Sequence, residues 1–401
     1  MPAKISEREL HGLQIAAMAR LFQRRGLWFV PSEAGRGDRY KVNPDTPSCT
    51  CPDFEIHGEK CKHIYAVEYA RRRESEHDGE KPFADMRLER APRKTYPQNW
   101  PAYNAAQTRE KEKFQVLLRE LVQDIKLPTR SRNGRPPIPI EDALFCVCFK
   151  IYSTVSARRF MTDVREAQAK GHISKVPHFN TVLNYLEDKH LTPVLKELIQ
   201  KSSLPLKGIE TDFAVDSSGF STSRFIRWFD QKYGHLRQES DWVKVHLMCG
   251  VKTNIVTAVE IRDRHAADTK SLPYLLDMTA ENFKLREISA DKAYSSYANY
   301  DFAQRHGATP FIAFRTGSVS GRGPALWEKM FLHFQLQRED FLARYHQRSN
   351  VESTFSMIKA KFRDHLRSKT PMAMVNEVLC KIICHNICVL VQEAEEMRLA
   401  I

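Results

Sequence analysis

The stretch YHQRSNVESTFSMIK, Tyr345 to Lys359, sets a phenol (Tyr345), a guanidinium (Arg348), a carboxylate (Glu352) and an ammonium (Lys359) at fixed offsets. On an α-helix turning about 100° per residue they fall at roughly 0°, 300°, 340° and 320°, inside one stripe about 60° wide. Val351, Phe355, Ile358 and Phe362 fall beside it, at roughly 220° to 280°. The spacing therefore predicts one helix over this stretch, burying one edge and presenting four reactive groups along the next. Two aspartates end strand-like runs elsewhere: Asp216 in IETDFAVDSSGFST and Asp291 in REISADKAYSS. Two such aspartates and a glutamate on a covering helix can converge at a sheet edge. Three carboxylates packed together repel unless a cation neutralises them. Oxygen-only ligands select hard ions such as Mg2+ or Mn2+. A pair of these ions activates the attacking oxygen and stabilises the leaving one in a phosphodiester displacement. Lys244 and His246, in WVKVHL, are candidate phosphate contacts from a neighbouring strand; His246 reads equally well as a buried structural histidine.

A second set lies near the front. Cys49 and Cys51 sit one residue apart, and after nine intervening residues Cys61 and His63 repeat that spacing. Three thiolates and an imidazole in two close pairs suit tetrahedral Zn2+ in a closed, structural site. His57 and Asp53 lie in the spacer, and His57 ranks below His63 as a ligand.

The elements that must position these groups follow from periodicity. DRYKVNP reads as a strand before the first cysteine pair and HIYAVEYA as a helix after the second. RRRESEHDGEKPFADMRLERAPRKTYPQNWP, rich in charge and proline, reads as a linker. From about Asn104 apolar residues recur at three- and four-residue steps, predicting a helical region. In it TRSRNGRPPIP, with Gly134-Arg135-Pro136, is a basic loop open to minor-groove insertion. HISKVPHFNTVLNYL reads as a turn and recognition-type helix with His178, Asn180 and Asn184 exposed. Beyond Lys207 the expected order is strand, strand, strand, helix, strand, helix, strand, helix, a mixed sheet with helices packed against it whose first three strands form a meander. Cys146 and Cys148, and Cys380, Cys384 and Cys388 with His385 in the last helix, read as core.

The whole chain sets bounds on partners. Its 62 basic and 49 acidic residues give a net charge of +13 and a pI near 9.3, a balance that favours a polyanion such as nucleic acid. Nine cysteines without a secretory leader argue for reduced thiols and a cytoplasmic setting. No signal peptide opens the sequence, no run of about 18 apolar residues is evident, and no membrane role is expected.

The segment SCTCPDFEIHGEKCKHIYAVEYARRR resembles the SWIM-type zinc finger, which implies a small β-β-α zinc module with DNA-handling or protein-binding roles. FAVDSSGF, ISADKAYSS and YHQRSNVESTFSMIK resemble the three blocks of DDE insertion-sequence transposases, the last fitting that group's Y-x2-R-x3-E-x6-K signature in full. The resemblance covers roughly residues 104 to 380. It implies a ribonuclease-H-like α/β catalytic core in which Asp216, Asp291 and Glu352 hold Mg2+ or Mn2+. It further implies that Tyr345, Arg348 and Lys359 grip transposon-end DNA near the cleaved phosphate; Arg135, from the basic loop, and Lys244, from its strand, are further candidate DNA contacts. The expected organisation is a zinc module over 1–75, a linker over 76–103, a helical DNA-binding region over 104–205, the catalytic domain over 206–370 and a C-terminal helix over 371–401. A homodimer on paired double-stranded DNA ends is implied by resemblance alone. About 60 residues separate Asp291 from Glu352, too few for the large β-rich insertion of some relatives. Trp327, in that interval, reads as an apolar anchor more readily than as a platform for a displaced base. A nuclease on the same core, and a DNA-binding regulator derived from it, remain as alternatives.

Overall fold

The computed structural model describes residues 6–19, 21–32, 39–75, 99–123, 125, 138–222, 242–263, 265–315, 318, 321 and 323–397. Arg135 and its basic loop, and most of the charged linker, lie outside the described residues. The chain divides into two compact units, Met1–Tyr96 and Pro97–Ile401.

In the first unit, strand alternation sends Trp28 and Val30 of β2 (Leu27–Pro31) and Val42 of β3 (Arg39–Asn43) inward. With β1 (Phe22–Arg24) and β4 (Ser48–Cys49) these strands form an antiparallel sheet in the order β1-β2-β3-β4. Helix α1 (Glu7–Met18), capped by the Ser6 side chain, lies on α3 (Lys62–Ser75), and the short α2 (Pro52–His57) follows the first cysteine pair. Gly12 permits this helix contact: a Cβ there would come within 2.4 Å of Tyr65 Cβ. The zinc module thus carries two further strands and two further helices around the expected β-β-α element.

The second unit begins with helices α4 (Trp100–Val122), α5 (Ile140–Ser153), α6 (Ala157–Ala169), α7 (Phe179–Leu186) and α8 (Leu191–Ser203). His178 caps α7 through its ring nitrogen, and His178, Asn180 and Asn184 are exposed as expected. Next come β5 (Asp212–Thr222), β6 (Trp242–Gly250), β7 (Val256–Arg262), α9 (Leu272–Ala280), β8 (Glu287–Ala290), α10 (Tyr297–Arg305) and β9 (Thr309–Ile312). The sheet runs β7-β6-β5-β8-β9: the first three strands are the predicted antiparallel meander, while β8 and β9 run parallel to β5. This is the expected mixed α/β architecture.

Two features extend the predicted order. Between β9 and the closing helix stand α11 (Ala325–Leu336) and α12 (Arg338–Tyr345), and after it a short β10 (His365–Leu366) pairs parallel with Ser221 and Thr222 of β5. The expected single helix over 345–359 is also divided: Tyr345 ends α12, residues 346–348 form one 3-10 turn, and α13 runs Ser349–Phe362. The backbone stays right-handed throughout this junction, with ψ at −13° at His346 and −18° at Ser349. The break is therefore a tightening of the coil rather than a reversal.

Alternation along β5 assigns its residues to two cores. Phe213 and Val215 join α9, β8 and the aromatic cluster around Trp327, whereas Ala214 and Phe220 join the helical layer. The last helix, α14 (Pro371–Glu396), runs through that helical layer against α4, α5 and α8. Contrary to the expectation of no such run, α14 is long and apolar enough to cross a membrane by length and composition, yet 78% of its apolar window is buried within the protein. Its apolarity is that of a helix surrounded by protein on nearly all sides. Cys146, Cys148, Cys380 and Cys384 are buried there, as expected of core residues.

Candidate active site

Register brings the two aspartates together. The parallel pairing of β5 with β8 ends at Val215 opposite Ala290, so Asp216 and Asp291 are the next residues along adjacent strands, which lie about 4.8 Å apart. Asp291 leaves β8 and caps a 3-10 turn, its carboxylate accepting from the Ala293 amide at 3.3 Å. Asp216 remains within β5 and accepts from the Ser217 amide at 2.7 Å.

Helix α13 supplies the third carboxylate. Val351, Phe355, Ile358 and Phe362 are all buried in the helical core, the edge the helical wheel assigned to them. At about 1.5–3 kcal/mol for each large apolar side chain buried, they contribute enough to fix the helix on the sheet. The other stripe then faces the side of β5 that carries Asp216 and Ser218. Arg348 donates to Asp216 at 2.6 Å and to Glu352 at 2.7 Å, so one guanidinium joins two of the three carboxylates. Lys359 Nζ donates to Ser218 Oγ at 2.6 Å and lies 5.3 Å from the centre of the Phe220 ring. Tyr345 is half-buried with Arg348 6.0 Å from its ring centre.

These neighbours set the charge states. Burial pushes the Asp216 carboxyl above the usual carboxylate range, and Asp291 and Glu352 add to that push, while the Ser217 amide and Arg348 oppose it. Burial lowers the Lys359 ammonium and raises the Tyr345 phenol. Among the described residues, the carboxylates of Asp216, Asp291 and Glu352 do not form a set of ligand atoms all within 4.8 Å of one another. Arg348 supplies the positive charge between two of them. The donor chemistry, three carboxylates with no sulfur, fits a hard divalent ion, which would compete with Arg348 for Asp216 and Glu352.

The opposite face of the strands holds groups that sequence reasoning assigned differently. Lys244 is tied to the Asp268 carboxylate and donates to the Ala266 carbonyl at 3.1 Å. Both contacts engage the ammonium that the sequence offered to a phosphate. His246, fully buried, shares a 2.8 Å hydrogen bond with the Tyr294 hydroxyl, and burial lowers its pKa to about 4. This matches the structural alternative for His246. Tyr294 stands three residues beyond Asp291 and is itself fully buried. It was present in the ISADKAYSS block, but only the fold joins it to a histidine 48 residues away. Trp327 is buried, stacked on Phe331 with centroids 5.1 Å apart and edge-on to Phe314 and Tyr297.

The first unit contains the other set. Cys49, Cys51, Cys61 and His63 are all buried, with their ligand atoms all within 4.8 Å of one another. His63 Nε2 is buried with no hydrogen-bond partner among the described residues, and Nδ1 lies 3.8 Å from Cys61 Sγ. The hydrogen bond from Cys49 is the largest influence holding the Cys61 thiol well below its usual range. An orphaned buried imidazole nitrogen beside three thiols fits Zn2+. His57 is outside the cluster, exposed and bonded to the Asp53 carbonyl at 3.0 Å.

Two protein-family models match parts of the chain. Residues 207–387 match the family model for the Transposase DDE domain, and residues 40–72 match that for the SWIM zinc finger. A search of the curated proteins gave no match.

Proposed function

We propose that this chain, which carries a transposase DDE domain behind a SWIM zinc finger, binds the terminal inverted repeats of a mobile element, hydrolyses a phosphodiester there and transfers the freed 3′-OH to target DNA. The observation that carries the reading is the convergence of three sequence blocks. Asp216 and Asp291 follow a shared register pair on adjacent strands, and Glu352 is linked to Asp216 through Arg348.

In this reading Asp216, Asp291 and Glu352 hold Mg2+ or Mn2+, and the bound ions would stabilise the attacking and leaving oxygens of an in-line displacement. Arg348 and Lys359 supply cations beside the scissile phosphate, and the half-buried Tyr345 offers a ring and a hydroxyl to the strand. Recognition falls to the helical region, including α7 with its exposed His178, Asn180 and Asn184, and to the zinc module, with phosphate contacts giving much of the affinity. The domain limits that follow are 1–75, 76–103, 104–205, 206–370 and 371–401, with a homodimer acting on paired ends in the cytoplasm.

The test is cleavage of end-labelled duplex carrying the terminal repeat, with Mg2+, by wild type and by Glu352→Gln. Nicking and joining by wild type, reduced on the order of 10³-fold in the variant (about 4 kcal/mol of transition-state stabilisation), supports the reading. Tight binding by both proteins with no cleavage by either would replace it with a DNA-binding regulator. Cleavage without joining would favour a nuclease.

A further inference from the structure

Away from the carboxylates, a cavity of about 210 Å³ opens between the end of α5, helix α7, the segment 362–368 and the start of α14. Four cationic side chains line it, Lys150, Arg363, Arg367 and Lys381, against a single carboxylate, Glu377. That carboxylate is already engaged, accepting from the Ser368 amide at 2.8 Å and the Arg367 amide at 3.0 Å, with Lys381 Nζ 3.5 Å away. Lys381 also donates to the carbonyls of His365 and Arg363, at 2.8 and 3.1 Å. Arg363 and Arg367 both aim their guanidinium groups at one acceptor, the Thr154 carbonyl, at 3.2 and 3.0 Å.

Lys150 completes the set. It is only 6% exposed and lines the cavity, and its ammonium has no hydrogen bond or ion pair among the described residues. A lysine side chain buried this far, with no protein partner at its ammonium, favours an anion or water at that atom. Burial, and then the charge of Arg367, lower its pKa to about 8, the response expected of a cation facing other cations. The backbone is also unusual at this place: Thr154 and Arg363 adopt φ of +53° and +75°, a region that costs non-glycine residues about 1–2 kcal/mol each. The wall is completed by apolar side chains, among them Ile151, Leu183 and Phe362, which limit hydration of whatever the cations hold.

We infer that this cavity is a phosphate-binding site: Lys150, Arg363 and Arg367 converge on one anionic tetrahedral group. Arginine guanidiniums match phosphate oxygens in pairs, and a buried lysine supplies the point charge behind them. The group is supplied either by a phosphodiester of a DNA strand passing over α5 and α7 or by a free phosphate-bearing small molecule. The first source rests on the transposase reading, whereas the second does not.

Inorganic phosphate is the first probe, with full-length protein and chloride at matched ionic strength as the reference. Phosphate is expected to raise the Tm of wild type by a few degrees. In Lys150→Met, whose apolar side chain fills similar space, its affinity should fall at least tenfold. Arg367→Gln, at an exposed position, should show the same loss and guards against a folding defect in the buried variant. A second arm scans the terminal-repeat duplex with single methylphosphonates. One substitution that weakens wild-type binding about tenfold and leaves Lys150→Met unaffected identifies a strand phosphate. Phosphate binding without such a position identifies a small-molecule source. Equal phosphate response in wild type and both variants, or none in wild type, overturns the site. Failure of wild type to bind the duplex would instead count against the transposase reading.

Discussion

Arg348 lies between Asp216 and Glu352, and it holds the clearest consequence for catalysis at the scale of one residue. A guanidinium bonded to two carboxylates competes with any metal ion that those carboxylates bind. Arg348→Gln should therefore tighten Mn2+ binding several-fold in calorimetric titration while weakening terminal DNA binding. Unchanged Mn2+ affinity would show that the ion does not use these carboxylates. The i,i+4 spacing of Arg348 and Glu352 was legible in the sequence; the bond to Asp216, 132 residues away, was not. The pairing of Lys244 with Asp268, which stands in a 3-10 turn 24 residues away, was likewise not legible. A second residue-scale consequence concerns His385, which is 3% exposed and donates from Nε2 to the Asn254 carbonyl at 2.9 Å. Burial lowers its pKa to about 4, from an ordinary 6.5. Below pH 6.5 the unfolded chain therefore takes up a proton that the folded protein refuses until about pH 4. Stability falls across that window by up to about 3 kcal/mol from this group. His385→Gln, which keeps a donor, should flatten the decline between pH 6.5 and 4 in urea titrations. An unchanged slope would remove His385 as its source.

Helix α13 is the element on which the site depends. Its apolar edge was readable from spacing alone, because four residues at helical period must share one side. The 3-10 turn at 346–348 was not readable, since no glycine or proline marks it and the backbone stays right-handed. Helices α11 and α12 were missed because their aromatic residues, Trp327, Phe331, Phe334 and Phe341, pack as a cluster rather than along a simple stripe. Phe355 tests the seat of α13. It is 5% exposed in the helical core, and Phe355→Ala should destabilise the second unit by about 3–5 kcal/mol. Cleavage should fall with it at temperatures where the variant remains folded, because Arg348, Glu352 and Lys359 all ride on this segment. A variant of normal stability would mean that α13 is not anchored through Phe355.

At the scale of the molecule, the two units depend on different physics. The zinc module has a small core, and its four ligands sit within it. Removing the ion exposes three thiols and an imidazole that have too few internal partners. Chelation, or Cys61→Ser, should make residues 40–72 sensitive to protease while the second unit stays resistant. Protection that survives chelation would argue against a structural metal. The mixed sheet and its helices were foreseen from alternation and period, but the parallel pairing of 212–215 with 287–290 is a long-range register that local pattern does not contain. The last helix was read as core from its four-residue cysteine steps, but not that its apolar stretch is long enough to cross a membrane or that α4, α5 and α8 surround it. That the two aspartates beside this register and Glu352 of α13 bind the ions that cleave DNA is the central claim, and metal-specificity rescue of Asp216→Cys tests it most directly. With terminal-repeat DNA, the variant should be inactive in Mg2+ and regain cleavage in Mn2+, which accepts sulfur more readily. Full activity in Mg2+, or none in Mn2+ while DNA binding and folding are intact, would contradict it.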